Sequence, residues 1–136
     1  MNVGLWVGQV LVAAAFGMAG IMKTVTPIEE LVQKMPWFVP VPWLPRVIGP
    51  LEIAGALGVL VPSITRVRPM LTPLAGLGLT TVMVLAAAMH IVRGELRMGP
   101  VKVLLGALAS FVAWGRLRKA PIDPRRAGVQ ATAARR

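Results

Sequence analysis

Four apolar segments dominate the hydrophobic pattern of the chain. They cover residues 2–23, 47–62, 70–92 and 100–117. A helix needs ~20 apolar residues, within a usual range of ~17–25, to cross the hydrocarbon core of a bilayer. The first and third segments meet that length, and the shorter second and fourth can cross a thin or locally deformed bilayer. The pattern predicts an all-α, polytopic membrane protein whose residues 1–117 form a four-helix bundle.

The connection between the first two segments is rich in proline and tryptophan. Residues 27–33 predict a short helix, because proline occupies the first turn and two glutamates there favour the helix dipole. Four prolines in residues 36–45 exclude a regular helix from that stretch. Trp37 and Trp43 prefer the headgroup zone of a membrane. We therefore predict an interfacial loop, which anchors the bundle, closes a cavity in it as a lid, or does both.

The composition fits a membrane protein and excludes several classes of site. Of the 136 residues, 56% are hydrophobic and 15% are charged. A soluble domain of this length buries too small a fraction of its chain to hide so much apolar surface. The chain has no cysteine, one histidine and five acidic residues. Disulfides, thiolate catalysis and cysteine-ligated clusters are therefore excluded, and we expect neither a metal site nor a resident cofactor.

The basic residues indicate how the chain is inserted. The formal net charge is +10, and the basic residues lie at the ends of the apolar segments and in residues 118–136, which we predict to be a disordered tail. No basic surface carries aromatic residues for bases to stack on, so nucleic acid is not an expected partner. In a four-helix topology both termini lie on the same side of the membrane as the loop at 63–69. That side carries nine lysines and arginines, and the opposite side carries six. This bias predicts cytoplasmic termini, in what we expect to be a bacterial cytoplasmic membrane. A cleaved signal peptide is the less favoured alternative, because no basic region precedes the first segment.

Three ionisable residues lie within the apolar segments or at their ends. An ionisable group in the hydrocarbon zone costs ~2.5–3.5 kcal/mol on insertion scales, so each one requires an explanation. Glu52 lies six residues after Arg46, about 9 Å along a helix, and His90 lies three residues before Arg93, about 4–5 Å from that helix end. Lys23 closes the first helix. The first helix ends, the second begins and the third ends on one side of the membrane, so Lys23, Glu52 and His90 should share one layer of the bundle.

Helical spacing predicts that these three side chains point into the bundle. Each shares its helix face with small or packing residues: Phe16, Ala19 and Gly20; Gly49, Gly55 and Ala56; Met83, Ala86 and Ala87. Small residues allow membrane helices to approach closely. A carboxyl in such a water-poor layer suits general acid or base chemistry, with His90 as its proton partner and Lys23 beside it. The alternatives are a buried polar pair that joins helices, a histidine that reaches water, and a lysine that snorkels to the interface.

Five further residues are predicted to contact a ligand in the bundle. Phe16 and Met83 share the faces of Lys23 and His90, Trp37 and Trp43 belong to the predicted lid, and Arg93 can reach back toward an anionic group. For Met83 the alternative is simple packing, since methionine fills irregular gaps in helix bundles.

From about Leu5 to Arg116 the chain resembles the DoxX-like family of small four-helix membrane proteins. The matching stretches, in order, are residues 16–23, 48–58, 73–79, 82–83, 90 and 115–116. The family pattern carries Lys23, Glu52 and His90. The resemblance implies membership of membrane oxidoreductase complexes, since the family takes its name from a subunit of a thiosulfate:quinone oxidoreductase. Its more distant relatives include cargo receptors, assembly chaperones and sterol isomerases, so the fold alone does not identify a function.

Three functions remain open at this stage. The leading hypothesis is a membrane enzyme that binds a lipophilic molecule in the bundle and uses Glu52 and His90 for isomerisation, cyclisation or epoxide opening. The second is a quinone-binding or anchoring subunit of an oxidoreductase, which would need a bound quinone or a partner's cofactor. The third is a non-catalytic scaffold or chaperone. The expected partners are a lipophilic molecule, the bilayer, and either a second copy of the chain or an oxidoreductase.

Overall fold

Helices make up the regular structure of this protein. The computed structural model describes residues 1–97 and 99–125, and in that part of the chain there is no strand. The helices are α1 (Asn2–Val25), α2 (Ile28–Lys34), α3 (Leu44–Thr65), α4 (Leu71–Val92) and α5 (Gly99–Trp114), with a 3-10 turn at Pro36–Phe38 and a π-helical turn at Gly115–Lys119. Helices α1, α3, α4 and α5 with its π-helical turn are long and apolar enough to cross a membrane. The predicted all-α membrane bundle is confirmed.

Three of the spanning helices are longer than the apolar pattern predicts, and the first of them, α1, ends two residues later than predicted, at Val25. Helix α3 covers Leu44–Thr65 rather than 47–62. It can begin before residue 47 because Pro45 lies in its first turn, where backbone N–H groups have no partner within the helix and a proline therefore costs no hydrogen bond. The fourth span continues to Lys119, two residues past the predicted end, and its last turn carries the basic residues that a helix C-terminus favours. Residues 120–125 have neither helix nor strand. The rest of the predicted disordered tail lies outside the described residues.

The four spanning helices pack in a closed ring. Helix α1 contacts α3, α3 contacts α4, α4 contacts α5, and α5 contacts α1. Their inward faces form one apolar core of Val12, Phe16, Ala56, Val59, Leu79, Met83, Ala109 and Val112. Large apolar side chains such as Leu57, Leu85 and Leu104 are more than half exposed on the outside. An apolar exterior of this kind matches a lipid solvent, in which only the backbone and the inward polar groups need internal partners.

Two glycines bring α1 and α3 into backbone contact. A Cβ added to Gly20 would lie 2.7 Å from the carbonyl oxygen of Gly49, and one added to Gly49 would lie 2.9 Å from the carbonyl oxygen of Gly20. A larger residue at either position must therefore push the helices apart. Lys23 and Glu52 follow these glycines by three residues, on the same helix faces. The close crossing thus places the ammonium and the carboxylate opposite each other.

The short helix predicted over residues 27–33 is present as α2, and it fixes the connection between α1 and α3. Its Leu31 is fully buried. The 3-10 turn then continues across this end of the bundle, and its Phe38 is also buried. The 3-10 turn therefore packs against the helices through Trp37 and Phe38, whereas residues 39, 40, 42 and 43 are exposed. Below, the end of the bundle that holds Lys23, Glu52 and His90 is called the cavity end.

Candidate functional site

A cavity of about 330 Å³ opens at the cavity end of the bundle. All four spanning helices and the connection between α1 and α3 contribute to its wall. Its apolar lining consists of Met35, Trp37, Phe38, Leu44, Val47, Ile48, Leu51, Val82, Met83, Leu85, Ala86 and Met89. Its ionisable lining consists of Lys23, Glu52, His90 and Lys102. The cavity is thus mostly apolar with a few convergent polar groups, which is the usual character of a small-molecule site.

A buried ion pair joins α1 and α3 at the cavity wall. Lys23 Nζ donates to both carboxylate oxygens of Glu52, at 2.7 Å each. The side chain of Glu52 is 1% exposed and that of Lys23 is 8% exposed. A charged group buried this far is stable only when a counter-charge and hydrogen bonds compensate for its lost hydration. Each of these two residues supplies that compensation to the other.

Arg46 caps the C-terminal turn of α1, the turn that carries Lys23. Its guanidinium donates to the carbonyl oxygens of Lys23 at 3.0 Å, of Thr26 at 2.6 Å, and of Thr24. The last carbonyls of a helix have no partner within the helix, and a cation there also complements the helix dipole. Arg46 therefore holds the last turn of α1, and with it the backbone of Lys23, in place.

His90 is held by the turn that ends α4. The backbone N–H of Gly94 donates to Ile91 O at 3.0 Å, and that of Glu95 donates to His90 O at 2.9 Å, with Gly94 in the left-handed region at φ +70°. These two bonds and the left-handed glycine define a Schellman motif. The motif turns the chain back so that the carboxylate of Glu95 lies 2.7 Å from His90 Nδ1.

The Glu95 contact determines what the His90 ring offers to the cavity. The ring is 1% exposed, and Nε2 forms no hydrogen bond with any residue that the structure describes. When Nδ1–H donates to Glu95, Nε2 of a neutral ring is the acceptor. A carboxylate that orients an imidazole in this way is the arrangement by which proteins fix the ring for proton transfer. His90 thus presents one ring nitrogen for a ligand.

Replacing Gly94 by alanine tests this turn. A Cβ at Gly94 meets nothing within 4 Å, so the substitution acts through φ alone. We expect the free energy of unfolding to fall by about 1–2 kcal/mol, the cost of a left-handed conformation in a residue with a Cβ. Asparagine tolerates that conformation and should restore much of the loss. Gly99→Ala is the control, because Gly99 is equally open but has no left-handed φ. Equal losses in the two alanine variants, measured by denaturant titration in detergent, would contradict the prediction.

Trp37 covers His90 from the connection between α1 and α3. The two ring centroids are 5.0 Å apart in an edge-to-face arrangement at 76°. Arg93 Nη1 donates to the carbonyl oxygen of Trp37 at 2.7 Å and so ties the 3-10 turn to the end of α4. Arg93 therefore supports the cavity wall from outside rather than lining it.

The structure brings five of the eight predicted site residues together in the cavity. These are Lys23, Glu52, His90, Trp37 and Met83. The remaining three, Phe16, Trp43 and Arg93, do not line it: Phe16 belongs to the central core, Trp43 is 61% exposed on the surface, and Arg93 holds Trp37.

The contacts among the predicted acid–base residues differ from the expected pairing. Glu52 bonds Lys23 and His90 bonds Glu95, and within the described residues no hydrogen bond joins Glu52 to His90. The two groups therefore face the cavity from separate positions on its wall. They can act together on a ligand, but each has its own partner.

Sequence reasoning missed two ionisable residues of this site, besides most of its apolar lining. Glu95 had a local signal, because a glycine directly after a helix predicts the turn that returns the chain to the last helical residues. Lys102 had no such signal. It resembles a basic residue at the start of a span, yet it lines the cavity together with Lys23 and Glu52.

The model of the DoxX-like family matches residues 7–112. The chain belongs to the DoxX-like family. The matched range runs from the first turns of α1 almost to the end of α5 and includes Lys23, Glu52, His90, Glu95 and Lys102. This DoxX-like protein is an integral membrane protein with four apolar helices. No curated protein and no solved structure matches the chain.

Proposed function

We propose that this DoxX-like protein binds a lipophilic small molecule in the cavity and acts on it by acid–base chemistry. The observation that carries the proposal is the placement of four ionisable groups in the wall of an otherwise apolar cavity. Ionisable residues inside a membrane bundle are costly and are typical of functional sites. The buried Lys23–Glu52 pair and the oriented His90 are the groups to which we assign the chemistry.

The lipid-facing part of the cavity wall supports a lipophilic ligand. Val47 and Leu51 on α3 and Leu85 on α4 line the cavity and are also about half exposed or more on the outer surface. The cavity therefore opens sideways between these helices, toward the acyl chains of a bilayer. A molecule dissolved in the membrane can enter there without crossing water.

The polar groups suit a reaction in which protons move and no electrons are exchanged. Glu52 supplies a carboxylate base, and Lys23 supplies an ammonium acid that also stabilises negative charge developing on a ligand oxygen. His90 offers Nε2 from another part of the wall. One group removes a proton from the ligand and another returns a proton at a second position, so an isomerisation balances without a co-reactant. Cyclisation to an isomeric ring needs the same two steps. Epoxide opening also needs water as a co-reactant: the base takes a proton from the water as its oxygen bonds to a ring carbon, the C–O bond of the epoxide breaks, and the acid protonates the oxygen that leaves.

Lys102 favours quinone binding as a second candidate function. Its ammonium lines the cavity and forms no hydrogen bond with any of the residues described here. Quinone carbonyl oxygens accept hydrogen bonds, and Lys102 and Lys23 lie on the same cavity wall to donate them. In this role the chain would serve as a quinone-binding subunit of a membrane oxidoreductase.

The experiment that tests the proposal compares two lysine–glutamate pairs. We would identify by mass spectrometry the lipophilic molecules that purify with wild type, with Lys23→Met/Glu52→Gln and with Lys34→Met/Glu30→Gln. The control pair has the same residue types, joined at 2.5 Å, and is about half exposed on α2. Both double variants are neutral replacements, so neither leaves an isolated charge. We expect wild type and the control to carry the same specific molecule, and the buried-pair variant to carry either none of it or only its unreacted precursor.

The identity of that molecule separates the two candidate functions. A quinone would favour the oxidoreductase subunit, and an isomerisable or cyclisable lipid would favour the enzyme. If all three folded proteins carry only bulk membrane lipid, the ligand proposal is contradicted and a scaffold role for the buried pair becomes the better explanation.

A further inference from the structure

A second polar cluster lies at the opposite end of the bundle, which we call the basic end. The basic end comprises the start of α1, the end of α3, the loop after α3, and residues 115–125. Gln9 is fully buried here and connects three helices. Its Nε2 donates to Val59 O and to Ser63 Oγ at 2.7 Å each, and its Oε1 accepts from Arg116 Nε at 2.7 Å. Gln9 thereby fixes one edge of the Arg116 guanidinium.

Arg116 is buried, and no carboxylate forms an ion pair with it among the residues that the structure describes. The residue is 4% exposed, and its guanidinium lies 5.1 Å from the centre of the Trp6 ring. Besides Gln9, its acceptors are Asn2 Oδ1 at 2.8 Å and Ala120 O at 3.2 Å, which are both neutral. Arg116 Nη2 is buried and has no hydrogen-bond partner among the described residues. A buried guanidinium N–H without an acceptor is costly, which points to an acceptor that completes the site.

Arg116 lines a cavity of about 200 Å³. At ~30 Å³ for each liquid water, it has room for a group several times larger than one water molecule. Its ionisable lining consists of Arg66, Arg116 and Asp123. Asp123 is exposed, and the ion pairs of residues 1–97 and 99–125 do not include it. The cavity therefore carries two guanidinium groups and one carboxylate, a net positive charge.

We propose that the cavity at the basic end binds the phosphate group of an anionic ligand. Arg116 Nη2 donates to one phosphate oxygen, and the more exposed Arg66 donates from the loop that follows α3. Guanidinium groups match phosphate geometry and form its strongest hydrogen bonds. The half-buried Trp6 is typical of a residue at the membrane–water interface. The phosphate group can belong to an acidic phospholipid or to a water-soluble molecule, and the test below distinguishes them.

The loop after α3 provides a matched pair of variants. Arg66 and Arg68 are both exposed and both have left-handed backbone angles. Replacement by glutamine removes one positive charge at either position. Only Arg66 lines the cavity. Each purified full-length protein would be titrated in neutral detergent with short-chain phosphatidylglycerol, and binding would be counted by native mass spectrometry. We expect one saturable molecule on wild type and on Arg68→Gln, and binding about tenfold weaker on Arg66→Gln, because a charge-assisted hydrogen bond is lost.

Two further titrations identify the source of the phosphate. Phosphatidylcholine should bind more weakly than phosphatidylglycerol, because its choline cation meets the two arginines. Inorganic phosphate that displaces the lipid at comparable concentration would assign the site to a soluble phosphorylated molecule, whereas displacement only at large excess would assign it to a lipid headgroup. Both results support a phosphate site.

Other results would overturn the proposal. Equal weakening in Arg66→Gln and Arg68→Gln would show general attraction to a basic surface, and the absence of saturable binding by any of the three probes would show that no phosphate site exists. Arg116→Lys keeps the charge but removes the planar fork, and should weaken binding by at least about tenfold. Its thermal unfolding would be measured alongside, and if it fails to fold, the comparison of Arg66 with Arg68 decides the question. The Lys23→Met/Glu52→Gln variant, altered only at the cavity end, should bind phosphate as wild type does.

Discussion

Replacing Glu52 by glutamine is expected to lower the free energy of unfolding by about 3–5 kcal/mol. The change removes the counter-charge of Lys23, whose ammonium donates to both oxygens of the carboxylate. The side chain of Lys23 is only 8% exposed, so water cannot replace the lost partner. A buried charge left without its partner has a cost of this size, whereas the intact pair contributes little net stability. Denaturant titration of the purified protein in detergent measures the loss.

Two other variants show whether the loss comes from the unpaired charge. Lys23→Met/Glu52→Gln removes both charges and should recover most of the stability lost in the single variant. Glu30→Gln breaks the exposed pair with Lys34 and should change stability by about 0.3–0.5 kcal/mol. A double variant as unstable as Glu52→Gln would mean that the carboxylate stabilises the bundle by some means other than neutralising Lys23.

Replacing Gly20 by valine is expected to separate α1 from α3 and to lower the free energy of unfolding by about 1–3 kcal/mol. Even the first carbon of a side chain would lie 2.7 Å from Gly49 O and 3.0 Å from the backbone nitrogen of Ile53. Backbone atoms cannot rotate away as a side chain can, so the helices must move apart, and forced overpacking has a cost of this size. Because Lys23 lies one turn further along α1, the same movement should lengthen its contacts with Glu52 and release the cavity ligand.

Gly78→Val is the matched control for this prediction. Gly78 also lies within a membrane-spanning helix, but a Cβ there meets nothing within 4 Å. The added side chain would face open space on α4, so we expect little change in stability and no loss of ligand. If the two valine variants have equal unfolding free energies, close contact at Gly20 is not what holds α1 and α3 together.

Much of the architecture could be predicted from the pattern of apolar residues. Four segments of spanning length, the short helix after Pro27 and a bundle with three ionisable groups at one end all follow from hydrophobic periodicity and helix-terminus chemistry. These features depend on residues close together in sequence, so they can be recognised locally. The bounds of α3 were less accessible, because Pro45 and Pro62 resemble helix breakers when the packing around them is unknown.

The partners within the candidate site could not be predicted in the same way. Chain direction places Lys23, Glu52 and His90 at one end of the bundle, but the pairing depends on how each helix is rotated and how closely two helices approach. The close contact between Gly20 and Gly49 brings Glu52 within hydrogen-bond distance of Lys23. The turn at Gly94 brings Glu95 within hydrogen-bond distance of His90. Packing likewise leaves Arg116 Nη2 without a hydrogen-bond partner in the part of the chain that the structure describes.

The sequence by itself determined that this protein lies in a lipid bilayer, how many helices cross it, and that Lys23, Glu52 and His90 share one layer of the bundle. These features follow from the length of the apolar segments and from chain direction, which are properties of consecutive residues. Only the tertiary structure decided which of those charges neutralise one another, where these two cavities open, and which guanidinium nitrogen has no partner within residues 1–97 and 99–125. Those outcomes depend on contacts of a few ångströms between residues far apart in the chain, and no local pattern specifies such contacts.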